Sequence, residues 1–339
     1  MITTVSALLF RIIQLILLPV AAIGYPFFVI KLIAYSRRSG TSATVLASLY
    51  TRYMQHKLGT RIDEPCYRLM KVLPTVSQLE LTLTTAPTLL AHRLTRFVPH
   101  FYRYPYEGEP SMKDQPVART TFYDMALARH LGGIKQLVIL GAGFDTRCYR
   151  LQEADGIQCF EVDAPRTQAF KLEMLIKAGV DRRRVTYTSA DFLKEDWFAK
   201  LVEAGFDPDK PSFFLWESVT MYLDRESVES TLRRIAGTAP GSVVALDYFS
   251  KEIIESRSIF IRYARAVINA TREPWMFGID NTPPARARVA EFLESCGLTI
   301  EEHHNFGQES GGHRALAGFA TALVINSIDL SLPKATHHL

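Results

Sequence analysis

Cysteine is scarce in this chain and poorly spaced for chemistry. The four residues, Cys66, Cys148, Cys159 and Cys296, form no C-x-x-C pair, which argues against a zinc site and against a disulfide framework. Reduced thiols in a cytosolic compartment are the expectation. An excess of one charge is also missing. The net charge is +4 from 39 basic and 35 acidic residues, and the one tight basic run, Arg182, Arg183 and Arg184, reads as a solvated turn. Nucleic acid is therefore not an expected partner, since phosphate tracking needs clustered cations. No internal repeat and no low-complexity segment stands out. Neither a Ser-His-Asp nor a Lys-Tyr grouping announces itself. His303 and His304 are adjacent, so a strand would point them to opposite faces, and with His313 they give no metal site; no metal is expected. What is present is apolar material: 47% of 339 residues, enough for one large domain or one with additions.

That material is unevenly distributed. "IIQLILLPVAAIGYPFFVI", between Arg11 and Lys31, is uncharged, with Gln14 its one strongly polar side chain. As a helix it would span roughly 28 Å, close to the hydrocarbon thickness of a bilayer. A cleaved signal peptide and a buried core helix compete with a membrane anchor, spanning or re-entrant. The anchor is favoured, because both faces are apolar and export would part the protein from cytosolic cofactors. Pro19 and Pro26 predict a kink and leave open a hairpin dipping into one leaflet. Lys31, Arg37 and Arg38 come after the run and only Arg11 precedes it, which places the chain beyond the run on the cytoplasmic side.

Three regions result: a membrane-associated segment at 1–38, a helical cap or substrate region at 39–115, and a larger domain at 116–330. In the cap, apolar residues recur at three- and four-residue spacing, broken by Gly59, Pro65 and Pro74. A helix is predicted at 116–131. Beyond it, strands are predicted at 136–140, 158–162, 184–188, 212–216 and 242–249. Helices fall between them at 166–178 and 226–236, the latter capped by Asp224. Extended stretches near 298–303 and 316–325 close the chain. The alternation implies a doubly wound α/β fold on a largely parallel sheet.

In such a sheet, ligands sit at the carboxyl ends of the strands. Here the first strand ends in Gly141-Ala142-Gly143, and the next four end in Asp163, Asp191, Glu217 and Asp247-Tyr248. Carboxylates converging on one rim call for a polar or cationic ligand as compensation. The glycines permit close backbone approach, with a helix expected after them. Asp163, 22 residues beyond Gly141, suits a ribose with both hydroxyls free. A dinucleotide fingerprint would need a small residue at 146, where Thr146 stands, and Asp145 would repel a pyrophosphate. The loop therefore favours a cofactor with ribose and adenine but no phosphate, and S-adenosylmethionine fits that description.

"VILGAGFDTRCYRL", "EVDAPRTQAFKLEML", "SADF", "WESVTMYL" and "ARTTFYD" together resemble the successive motifs of the leucine carboxyl methyltransferase superfamily, in its bacterial branch of S-adenosylmethionine-dependent O-methyltransferase-like proteins. The likeness covers about 119–248 and implies a class I methyltransferase, a Rossmann-like fold. By resemblance Arg119 would hold the cofactor carboxylate, Gly141 and Gly143 would border its methionine portion, and Asp163 its ribose. Asp191 would meet the adenine amino group and Phe192 its ring, while Glu217 would lie near the sulfonium end and the substrate mouth. Tyr222 and Tyr248, with Glu217, are the catalytic candidates, Tyr248 and Asp247 by strand-end position. Family members read substrates through the N-terminal helices and an insertion after the fifth strand, here about 251–283. The implied reaction is methyl transfer to a carboxylate or hydroxyl of a small hydrophobic or lipid-like acceptor, reached through an apolar channel lined by the cap. Methylation of a protein C-terminus and an NAD(P)-dependent oxidoreductase are the alternatives. Characterised members that act on a protein C-terminus lack the hydrophobic segment.

Overall fold

The hydrophobic run forms one helix, α1 (Ile2–Ser39), which passes Pro19 and Pro26 without interruption. The computed structural model describes residues 2–39, 44–74, 76–108, 111, 114–152, 156–256, 258, 261, 265, 274–307 and 315–325. The re-entrant hairpin that the prolines left open does not form. A proline removes one hydrogen bond of the ladder, and the helix continues past each loss. The cap supplies α2 (Thr44–Lys57), α3 (Glu64–Val72) and α4 (Gln78–Thr95). Asp63 caps α3 by accepting from the Cys66 amide, and Ser77 and Glu80 close a reciprocal capping box on α4.

α4 runs antiparallel to α1. Phe10 packs on Phe97 at 5.2 Å between ring centroids, Gln14 Nε2 donates to Thr88 Oγ1 at 3.0 Å, and Lys31 Nζ sits 2.5 Å from Glu80 Oε1. Gly24 makes the close approach possible, since a Cβ there would come within 2.9 Å of Leu83. Thr4–Gly24 is long and apolar enough to cross a membrane by length and composition, and only 11% of it is buried.

α5 (Gln115–His130) leads into a seven-stranded sheet of order β3-β2-β1-β4-β5-β7-β6. Its strands are β1 (Gln136–Leu140), β2 (Gln158–Asp163), β3 (Val185–Ser189), β4 (Ser212–Trp216), β5 (Val243–Phe249), β6 (Thr299–Phe306) and β7 (Ala317–Leu323). β1 to β5 are parallel, and β7 inserts antiparallel between β5 and β6. The fold is the class I methyltransferase arrangement, with its switch point between β1 and β4. α6 (Pro165–Lys177), α7 (Trp197–Glu203), α8 (Arg225–Ala236), α9 (Lys251–Glu255) and α10 (Ala285–Ser295) complete the described helices. Asp224 caps α8 as expected, accepting from the Ser227 amide at 2.8 Å.

Two expectations are corrected. Among the described residues no α-helix stands between the glycine loop and β2; Arg147–Tyr149 makes a single 3-10 turn instead. The turn is short because Arg147 is drawn inward to buried carboxylates rather than outward to solvent. Among the described residues the cap packs as core and does not line an apolar channel either. Leu49, Tyr53, Met54, Leu69 and Met70 are buried with Phe144, Met174 and Leu175 in a shared core. An apolar helical stripe lowers its free energy most by dry packing, and α6 offers the partner. Part of the insertion at 251–283, including 266–273, lies outside the described residues, as does His313.

Behind the loop, Glu161 of β2 is 1% exposed, with Lys171 Nζ 2.7 Å from its Oε2. Lys171 also donates to the carbonyl of Asp145 at 2.9 Å, tying α6 to the loop. Burial pushes the Glu161 carboxyl from 4.5 up to about 7 despite that lysine. A carboxyl whose folded pKa is raised contributes most at low pH, and its contribution falls as pH rises from about 4.5 to about 7. Glu161→Gln should remove a decline of at most about 3 kcal/mol over that window. Urea unfolding at several pH values checks this; parallel stability profiles for both proteins would contradict it.

Candidate functional site

The five-residue stretch Gly141 to Asp145 turns back over the end of β2. Gly141 and Gly143 take positive φ, 66° and 42°, and the amides of Gly141 and Ala142 donate to the Val162 carbonyl at 2.8 and 3.1 Å. Asp163 then closes the turn. Its Oδ2 accepts from the Gly143 amide at 2.6 Å and its Oδ1 from the Ala164 amide at 2.7 Å. Burial raises the Asp163 carboxyl above the usual carboxylate range, although both amides favour the anion. Each oxygen keeps a lone pair for a further donor.

Next to this turn lies a cavity of about 300 Å³, at the small end of the range for ligand sites. Its lining includes Asp163, Asp191 and Phe192 together with Arg52, Glu217 and Tyr222. Gly141, Gly143, Asp163, Asp191, Phe192, Glu217 and Tyr222 are thus brought together. Asp191 also accepts from the Leu193 amide at 3.0 Å. Its burial opposes ionisation, but Lys194 Nζ at 2.9 Å and that amide hold its carboxyl below the ordinary value.

Arg119 stands just behind the wall. Its two Nη atoms donate to Ser218 Oγ and, at 2.6 Å, to Ser48 Oγ, both on the lining. Tyr248 is not at the site, which corrects its place among the catalytic candidates. It is fully buried and its hydroxyl is 3.0 Å from Asn281 Oδ1 and 2.8 Å from His303 Nε2. Alternation along β5 turns Asp247 toward the α5 side and Tyr248 away from it. Asp247 is 2% exposed and accepts from the Ser218 amide at 2.6 Å and the Tyr123 hydroxyl at 3.1 Å.

Of the rim carboxylates, Glu217 is compensated by the chain's own arginines, while Asp163 has only backbone amides and Asp191 a lysine and an amide. Glu217 Oε2 accepts from Arg52 Nη2 at 2.6 Å and Arg147 Nη1 at 2.7 Å. Arg119 Nε lies 3.2 Å from Glu217 Oε1 but off the line for a hydrogen bond. Burial alone would raise the Glu217 carboxyl, and the three guanidiniums reverse it to below the ordinary value. Asp145 is treated likewise: burial opposes its charge, but Arg147 and Arg52 bring it down to about 2. Arg147 also binds Asp124 Oδ1 at 2.7 Å, and Asp124 in turn receives Arg61 Nε at 2.7 Å. Arg52 and Arg147 were not read from the sequence as site residues. Arg147 sits inside the glycine motif, two residues from its partner Asp145, and that spacing was the available signal. Arg52 lies 165 residues from Glu217, with no local signal at all.

Residues 93–236 match the family model described as leucine carboxyl methyltransferase. Among relatives, a Mycolicibacterium smegmatis protein named as an S-adenosyl-L-methionine-dependent methyltransferase is 36% identical over 155 residues, covering 44% of this chain and 52% of that one. A Mycolicibacterium gilvum protein of the same name is 37% identical over 202 residues, covering 57% and 64%. The chain thus spans between about half and two thirds of these relatives' length. Among solved structures, a duf574 family protein from Streptomyces avermitilis is similar with a TM-score of 0.46 at 15% identity, over 81% of this chain and 96% of that one.

Proposed function

We propose, from the match of residues 93–236 to the leucine carboxyl methyltransferase family model, that this chain is an S-adenosylmethionine-dependent methyltransferase. Its acceptor is a carboxylate or hydroxyl on a small hydrophobic or lipid-like molecule, and α1 attaches it to a membrane with the catalytic body in the cytoplasm. The observation that carries the cofactor is the loop. Two glycines at positive φ, the second held by Asp163, with a 3-10 turn rather than an α-helix N-terminus behind them, favour a nucleoside without a diphosphate. The residues present fit the group. Asp163 offers its remaining lone pairs to ribose hydroxyls, Asp191 and Phe192 face the adenine, and the buried Arg52 Nε, which has no partner, faces the methionine end beside Arg119.

Bound, S-adenosylmethionine supplies an electrophilic methyl on a sulfonium, so the protein contributes position and electrostatics. Glu217 is held ionised by two charge-assisted bonds and fixes the rim as an anion; it is too weak a base to deprotonate a hydroxyl. That favours a carboxylate acceptor, which needs no base.

Isothermal titration with S-adenosylmethionine, its demethylated product and NAD tests the cofactor. Binding of the first two and not of NAD is expected, and tighter NAD binding would sink the assignment. Asp163→Ala should lose about 1.5–3 kcal/mol of affinity, as a charged acceptor for hydroxyls. An unchanged constant would remove Asp163 from the site. Comparing small molecules and lipids with and without the protein, by a mass gain of one methyl, identifies the acceptor; a modified peptide terminus instead would favour C-terminal methylation.

A further inference from the structure

α1 is not free to cross a bilayer by itself. α4 lies antiparallel along it from Lys31 to Gln14, with Phe97 just beyond α4 meeting Phe10, and α4 also carries Leu81 and Leu89 to the core cluster of the cap. Those two residues are two turns apart on one stripe, so the folded body runs beside the helix pair over that length. A spanning α1 would draw this body into hydrocarbon, where irregular backbone and charge are costly. An α1 parallel to the surface would not. Its outward stripe suits that orientation: Val5, Leu8, Ile12, Leu15, Ile16 and Ile23 are between 45% and 71% exposed.

The charge pattern selects the kind of surface. No Asp or Glu occurs at 2–39 or at 81–106, while Arg11, Lys31, Arg37, Arg38, Arg93 and Arg96 do. Glu80, the acid between those stretches on α4, is paired with Lys31. Cations flanking an apolar stripe, with no uncompensated acid, complement an anionic headgroup layer. We infer that α1 and α4 form an in-plane docking surface for an anionic bilayer, the outer stripe of α1 lying at the acyl-chain boundary with the body beside it on one side of the membrane. This rests on the proposed membrane attachment and not on methyl transfer.

The test uses the full chain with vesicles of phosphatidylcholine, alone or with about a third phosphatidylglycerol. The native cysteines are all buried, so fluorophores on Leu8→Cys, Leu15→Cys and Ile23→Cys variants report depth selectively. All three labels should sit at one shallow depth. Partitioning should be roughly ten-fold stronger to the anionic vesicles at low salt. Leu15→Glu with Ile16→Glu should weaken it at least about ten-fold without lowering the thermal midpoint. A depth gradient with Leu15 deepest would place α1 across the bilayer and overturn the in-plane geometry alone. Failure to bind either vesicle, with a lipid-free dimer that the double variant splits, would make the stripe a contact between copies and overturn the attachment too. Cofactor titration on the same samples reads the methyl-transfer proposal separately.

Discussion

Arg147→Met should unfold at much lower denaturant than the wild type, losing about 3–5 kcal/mol. The side chain is 2% exposed and serves three carboxylates at once: Asp124, Asp145 and Glu217. Methionine fills most of the volume, so the loss is electrostatic more than steric. Asp124 would keep Arg61, and Glu217 would keep Arg52, but Asp145 would be left with Arg52 at 3.5 Å. Removing one partner from a buried network leaves a charge without compensation, and that penalty is larger than the net worth of the pair. Arg150→Met is the control. Arg150 is 3.4 Å from Asp124 and 28% exposed at its side chain, so its loss should cost less than about 1 kcal/mol. The difference from wild type should also shrink in acid. Burial is the largest single influence on Asp124 and Asp145 and raises both, but Arg147, the strongest of their cationic partners, together with the others holds them below the ordinary range, Asp145 at about 2. Without it their carboxyls titrate higher, so lowering the pH protonates them and relieves the unpaired charge. Equal stability of Arg147→Met and Arg150→Met at neutral pH would show that the network does not hold the fold.

The sheet was legible because parallel strands buried on both faces announce themselves as short apolar runs. The stretch 212–216 and the run QLVIL were placed to the residue. The residues at the strand ends were legible for the same reason, since topology alone brings Gly141, Asp163, Asp191 and Glu217 to one rim. What compensates them was not. Arg52 reaches Glu217 from the cap, and no periodicity encodes a contact of that separation. Tyr248 was misplaced by a half-period, being next to Asp247 in sequence but on the opposite face of β5. The apolar spacing in the cap was read correctly as helical and wrongly as a channel. A stripe of Leu, Met and Tyr reads the same whether it faces a ligand or a core, and α6 decides for core. The helix expected after the glycine loop failed because the loop's own Arg147 is pulled into the interior, which shortens the connection to one turn.

Gly141→Ala should abolish cofactor binding and destabilise the fold by about 2–5 kcal/mol, from two separable causes. The residue holds φ at 66°, where an alanine is strained by about 1–2 kcal/mol. Its new Cβ would also fall 2.3 Å from Val219 Cγ2, inside any real contact, and overpacking of this kind costs about 1–3 kcal/mol. Val219 cannot easily retreat. It sits between Glu217 with Ser218, which are bound to Arg52, Arg147 and Asp247, and the turn at Thr220, whose hydroxyl donates to the Asp247 carbonyl at 2.6 Å. The glycine loop and the segment after β4 would therefore be pushed apart across the cavity they both line. Val219→Ala removes the clashing methyls and leaves φ untouched. In the double variant the steric part should return and the conformational part should remain, giving a coupling of about 1–3 kcal/mol toward recovery. Cofactor affinity should recover with it, because cavity width, not the loop's hydrogen bonds, is what the clash alters. Unfolding free energies and titrations of the two single variants and the double variant measure both parts. Strict additivity would mean that the clash relaxes elsewhere and that the close approach of Gly141 to Val219 does not set the width of the site.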